Sequence, residues 1–193
     1  MTRALMAFSL VLLAACGDGS SASKPAEEGA ATPDELYAKL VAVGEKSDWK
    51  GFYACIEPER RAAFTMMMFM GAGFSCMGEG EPAKAKAKEL EAIVAKHDLP
   101  KKKEGENVNM ADEAAMTKAS NEFLKNVKDP AGLFADLMAF NEKNDKGGMK
   151  AQPGKLVDLK IEGDNASATV ETAKGKNPAK FVRRNGRWFM ALR

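Results

Sequence analysis

Between residues 32 and 143 the apolar positions recur every three or four residues, and from about 154 onward they alternate with polar ones. The first period is that of a one-sided helix and the second that of a half-buried strand. Thr32-Pro33-Asp34-Glu35 predicts a helix start: the threonine can cap, proline suits the first turn, and a glutamate three residues on completes a capping box. Leu36, Leu40 and Val43 form the stripe of that helix, widened by Tyr37 and Val41. Trp49, Phe52, Tyr53 and Ile56 give a second, shorter apolar face. Pro58 marks another start, residues 62–70 are apolar enough for a mostly buried helix, and Gly71, Gly73, Gly78 and Gly80 end it in a bend. Pro82 opens a further helix to about His97, with Leu90, Ile93 and Val94 inward. Residues 100–109 read as a polar loop. Segments 110–127 and 129–143 read as two more helices, the second capped by Asp129 with Pro130 in its first turn.

The last forty residues change character. Leu156, Val157, Leu159 and Ile161 predict a strand, Gly163-Asp164-Asn165 a turn, and Ala166, Ala168 and Val170 the inward side of a second strand. Asn185-Gly186 between residues 180–184 and 187–192 is the strongest short hairpin signal in the chain. A two-residue turn there pairs Arg184 with Arg187, Arg183 with Trp188, Val182 with Phe189 and Phe181 with Met190, with a cation–π contact expected between Arg183 and Trp188. Both faces of that hairpin carry large apolar groups, so cover is expected on one side and in part on the other. Helices ahead of a three- or four-stranded antiparallel sheet make an α+β fold. One domain over 32–193 is expected, with helices over about 33–144 and strands over about 154–193.

The first residues belong to a different program. Arg3 supplies a positive charge, residues 4–13 are a mostly apolar run of signal-peptide length, and Leu13-Ala14-Ala15-Cys16 follows. This resembles the lipobox of bacterial lipoproteins. The resemblance implies a signal peptide over 1–15, lipidation of Cys16 and a small-residue tether over 16–31. It also implies a protein held in the cell envelope by its acyl chains. An aspartate directly after the cysteine is the inner-membrane retention signal of such proteins; Gly17 stands there, which favours the periplasmic face of the outer membrane. A second resemblance rests on Asp48-Trp49-Lys50-Gly51-Phe52-Tyr53 with Glu57-Pro58-Glu59-Arg60-Arg61, and on the final hairpin from Phe181 to Leu192 with its Asn-Gly turn. These look like the NTF2-like group of cone-shaped α+β domains, which implies a pocket between helices and sheet.

Charge narrows the partners. There are 29 basic and 27 acidic side chains, too even a balance for a nucleic-acid surface. Lys101-Lys102-Lys103 is followed at once by Glu104 and Glu106, which reads as a solvated loop. With Cys16 assigned to lipid, Cys55 and Cys76 remain in an oxidising compartment and are disulfide candidates.

Candidate chemistry is sparse. His97 is the sole histidine, with no triad or zinc spacing around it; a position against its helix's C-terminal dipole explains it. Met66, Met67, Met68, Met70 and Met77 beside Cys76 are soft ligands of the kind that select copper(I), but interleaved with Phe64, Phe69 and Phe74 they read first as adaptable packing or a partner surface. No catalytic residue, metal or cofactor is assigned. The expectation is a non-enzymatic binding or accessory role, with an apolar partner segment of another envelope protein or a small apolar ligand held between the methionine-rich helix and the sheet. Phe64, Met67, Met70, Phe74, Phe181 and Trp188 are the expected lining. The alternatives are a small NTF2-like enzyme with a buried acid, and a copper(I) carrier.

Overall fold

The computed structural model describes residues 28–99, 112–144 and 154–192. The expected signal peptide, most of the expected tether and the expected polar loop at 100–109 lie outside these residues. Six helices precede a four-stranded antiparallel sheet, an α+β architecture. The helices are α1 (Pro33–Glu45), α2 (Trp49–Cys55), α3 (Arg61–Ser75), α4 (Glu81–Lys96), α5 (Glu113–Leu124) and α6 (Pro130–Asn144), with a single 3₁₀ turn at Pro58–Arg60 ahead of α3. The strands β1 (Lys155–Glu162), β2 (Asn165–Thr172), β3 (Gly175–Arg184) and β4 (Arg187–Met190) follow as a meander in that spatial order.

Helix starts are set by the caps the sequence carries. Thr32 Oγ1 accepts the Glu35 N–H at 3.2 Å, and Glu35 Oε2 reaches back to accept the Ala31 N–H at 3.2 Å. Asp48 caps α2 through the Gly51 N–H, and Asp129 caps α6 through the Gly132 N–H. The final hairpin has the predicted register, Phe181 to Met190 through Arg184 to Arg187. Arg183 faces Trp188 in that register, but the cation–π contacts belong to Arg61, which lies over the rings of Tyr53 and Phe189. β1 carries a bulge between Val157 and Lys160, with Asp158 at φ 55°. The bulge twists the open edge of the sheet and blunts it against strand addition.

Three cores stack through the molecule. In the first, α1 and α2 cover one face of the sheet through Leu36, Leu40, Cys55, Ala166, Ala168, Phe181 and Trp188. The second is wholly helical and joins Ala72 of α3 to Leu133, Leu137 and Phe140 of α6 and to Leu99 and Val127. The third lies between them and holds Trp49, Ile56, Phe64, Phe134 and Met138. Phe134 is fully buried and touches three rings, with centroids 5.3 Å from Tyr53, 5.7 Å from Phe64 and 6.3 Å from Phe52.

The outer edge of β4 is paired with the segment just ahead of α1. Ala30 pairs antiparallel with Trp188, and Gly29 sits at φ 60° where a Cβ would lie 2.6 Å from the Trp188 carbonyl oxygen and 2.9 Å from the Phe189 ring. Only glycine allows that approach. Truncating Phe134 to alanine removes the ring that joins α2, α3 and α6. The expected cost is about 3–5 kcal/mol, read as a lowered urea midpoint; a loss under about 1 kcal/mol contradicts this packing.

Candidate functional site

α3 is the helix on which the chain concentrates its unusual chemistry, and its neighbours decide which side is free. α6, α5 and α4 pack along it. Phe64, Thr65 and Ala72 are buried on the inner side, and Met68 joins both helical cores. Phe69 meets Phe123 of α5 at 5.2 Å, and Asn141 of α6 donates to the Met68 carbonyl at 3.3 Å. The outer side stays open: Met67 is 47% exposed, Phe74 63% and, just past the helix, Met77 76%.

This arrangement corrects the expected groove. The space between the methionine-rich helix and the sheet is filled by α2 and α6, with the Phe52 and Phe134 rings stacked at 7°. The six expected lining residues therefore separate. Phe64 is in the middle core, Phe181 and Trp188 are in the sheet core, and Met67 and Phe74 are on the surface. Met70 is half-buried beside them. Phe181 borders a shallow depression of about 240 Å³ across the sheet, near Lys160, Ser167 and Lys180, but its own ring is in the core. The methionines do not share one side: consecutive Met66, Met67 and Met68 are turned by about 100° each, with Met68 inside and Met67 outside.

The two remaining cysteines are also separated. Both are free thiols. Cys55 ends α2 and is fully buried in the sheet core, whereas Cys76 follows α3, packs against the helical core and donates to the Ala72 carbonyl at 3.2 Å. The fifteen residues of α3 between them extend about 22 Å, far beyond the reach of a disulfide. Burial pushes the Cys55 thiol up from its ordinary pKa despite the nearby Lys39 and Arg61 charges.

His97 has a partner that sequence spacing could not show. Its Nε2 lies 2.6 Å from Asp136 Oδ2 on α6, and the Lys96 ammonium reaches the same oxygen at 2.7 Å. Burial pushes the Asp136 carboxyl up, but hydrogen bonds from Lys96 and His97 and their charges outweigh it and hold the pKa below its usual value. With Lys143–Glu89 at 2.8 Å and Lys86 donating to the Asn144 carbonyl, these contacts fasten α4 to α6. α4 itself has no buried residue. Two groups sharing one carboxylate oxygen make a clasp, and no third ligand or nucleophile joins them: among the described residues no group of three His, Cys, Asp or Glu side chains could hold a metal ion.

Glu57 is a second feature absent from the sequence reading. It is a buried carboxylate whose Oε1 accepts from Arg184 Nη2 at 2.5 Å, tying the turn before α3 to the hairpin. No helix among the described residues is long and apolar enough to cross a membrane. No family, curated protein or solved structure matches the chain.

In the folded protein, maleimide labelling at Cys76 is expected to outpace Cys55 by more than about tenfold, because a buried thiol with a raised pKa offers little thiolate. Denaturant removes the difference, and a Cys55–Cys76 linked peptide in a non-reducing digest overturns the assignment. The Asp136 clasp predicts a pH signature. A depressed carboxyl contributes stability above its unfolded pKa of about 3.9 and loses it as the pH falls through the lower folded value. Asp136→Asn is thus expected to lower the melting temperature at pH 5, by an amount that shrinks as the pH is lowered from there to 2. A difference that persists undiminished at pH 2 contradicts the ion pair.

Proposed function

We propose that the chain is a lipid-anchored protein of the cell envelope with a non-enzymatic accessory role, acting through a contact surface. Leu13-Ala14-Ala15-Cys16 is the observation that carries this reading. The place where the folded body begins supports it. Glu28 accepts from Arg61 Nη1 at 2.8 Å, and its carbonyl accepts from Arg187 Nε at 2.9 Å. The Gly29 carbonyl accepts from Lys39 at 3.1 Å. The body is therefore fastened at its first described residues, twelve positions after Cys16, and a pull on the N-terminus is borne by β4, α1 and α3 together.

The contact surface is the outer side of α3, where Met67, Phe74 and Met77 are the large apolar side chains left to solvent. Outer-membrane placement follows from Gly17 after the cysteine. The alternatives draw less support, because the methionines do not share one side and the buried acid Glu57 is engaged by Arg184.

Mass spectrometry of the envelope-extracted protein tests the anchor. The expected N-terminal peptide begins at Cys16 and carries acyl chains, and Cys16→Ser abolishes both the processing and the lipid mass. A mature chain that begins elsewhere without lipid overturns the reading.

A further inference from the structure

Residues 62–78 contain no charged side chain. A helix that is apolar on every side is normally enclosed on every side, yet α3 is enclosed where Phe64, Thr65, Met68, Phe69 and Ala72 face its neighbours and open elsewhere. Met67, Gly71 and Phe74 follow at intervals of four and three residues, which places them in one line along the helix. Met77 continues the patch beyond the last turn. A Cβ at Gly71 would meet nothing within 4 Å among the described residues, so none of the described elements overlies the middle of the line.

We infer that this face lies against the bilayer that holds the Cys16 acyl chains, an inference that rests on the anchored reading above. Area argues against a second copy. Three side chains at these exposures offer on the order of 400 Å², about half the ~800 Å² per partner of a stable protein interface. Charge points the same way. Protein interfaces surround an apolar centre with a polar rim, whereas along α3 the first charges are Arg61 at one end and Glu79 past the other. Met and Phe side chains suit the acyl boundary of a membrane, which needs no matching surface.

Reach is sufficient. The twelve residues from Cys16 to Glu28 span at most about 40 Å. Glu28 is held at Arg61, the first residue of α3, and Phe74 lies about 20 Å further along that helix. An anchored molecule can therefore lay the far end of α3 on the leaflet without leaving its lipid.

Peroxide footprinting of the full chain tests the contact, with methionine sulfoxide located by mass spectrometry. On vesicles of phosphatidylethanolamine and phosphatidylglycerol, Met67 and Met77 of the acylated protein are expected to oxidise about fivefold or more slowly than in the Cys16→Ser chain in buffer. Half-buried Met116 on α5 serves as the unchanged reference. Phe74→Glu, at an exposed position, is expected to restore the faster rates while the acylated chain still floats with the vesicles.

Solution-like rates at Met67 and Met77 in an acylated, floating chain overturn the contact and leave the anchor standing. Protection that grows with concentration in the Cys16→Ser chain without vesicles assigns the face to a second copy and likewise overturns it. A chain that has no lipid on Cys16 and does not float removes both proposals.

Discussion

Leu133, Phe134 and Leu137 are wholly removed from solvent on one stretch of α6, and they point to different sides of it. That is the constraint around which the structure is arranged. Leu133, Leu137 and Phe140 follow at i, i+4 and i+7 and need an apolar neighbour on one side, which α3 supplies with Ala72. Phe134 and Met138 share another side and need a second neighbour, which α2 supplies with Trp49 and Phe52. Each of these side chains contributes about 1.5–3 kcal/mol only if its side is closed. A helix with two buried sides thus fixes the positions of the helices around it, and Asp136 is the one charged side chain it carries before Glu142.

The sheet is joined to this helical layer by side chains that belong to two cores at once. Phe52 and Met190 reach both the sheet core and the middle core, and Met68 reaches both helical cores. Arg61 adds the polar half of the joint. Its guanidinium donates to the Ile56 and Ala54 carbonyls, pairs with Glu28 and lies over Tyr53 and Phe189. A single side chain therefore connects the N-terminal segment, the end of α2, the start of α3 and the last strand.

What the sequence made legible is what is decided locally. Caps at Thr32 and Asp129 act over three residues, and the Asn185-Gly186 turn sets the register of the strands beside it. What it left open depends on which helix faces which. Residues 62–77 are equally apolar whether they pack on the sheet or on other helices, so periodicity alone does not exclude a groove against Phe181 and Trp188. The two-sided stripe of α6 is the signal that could have done so, since it takes up the surface of α3 that a sheet would need. Cys55 and Cys76 looked pairable because separation in sequence carries no information about the straight helix between them. Likewise His97 and Asp136 are 39 residues apart, beyond any spacing rule.

The division of α3 into two sides separates stability from contact. Its inner side is built into the cores through Phe64 and Ala72, so changes there act on folding. α4 closes a further flank through the Asp136 clasp and the Lys143–Glu89 pair, and it adds half-buried Leu90, Ile93 and Val94. Exposed ion pairs such as Lys143–Glu89 contribute about 0–1 kcal/mol each, so α4, with no fully buried residue, is held chiefly by that half-buried apolar stripe and the Asp136 clasp. The outer line of Met67, Gly71 and Phe74 contributes to neither attachment. An exposed apolar patch of this kind carries an aggregation hazard in a freely diffusing chain. On the anchored reading proposed above, a lipid at the N-terminus would change the balance, because the nearest apolar phase would be the one that holds the acyl chains. On that reading the Cys16 anchor and the bare side of α3 serve one physical arrangement from two places in the chain.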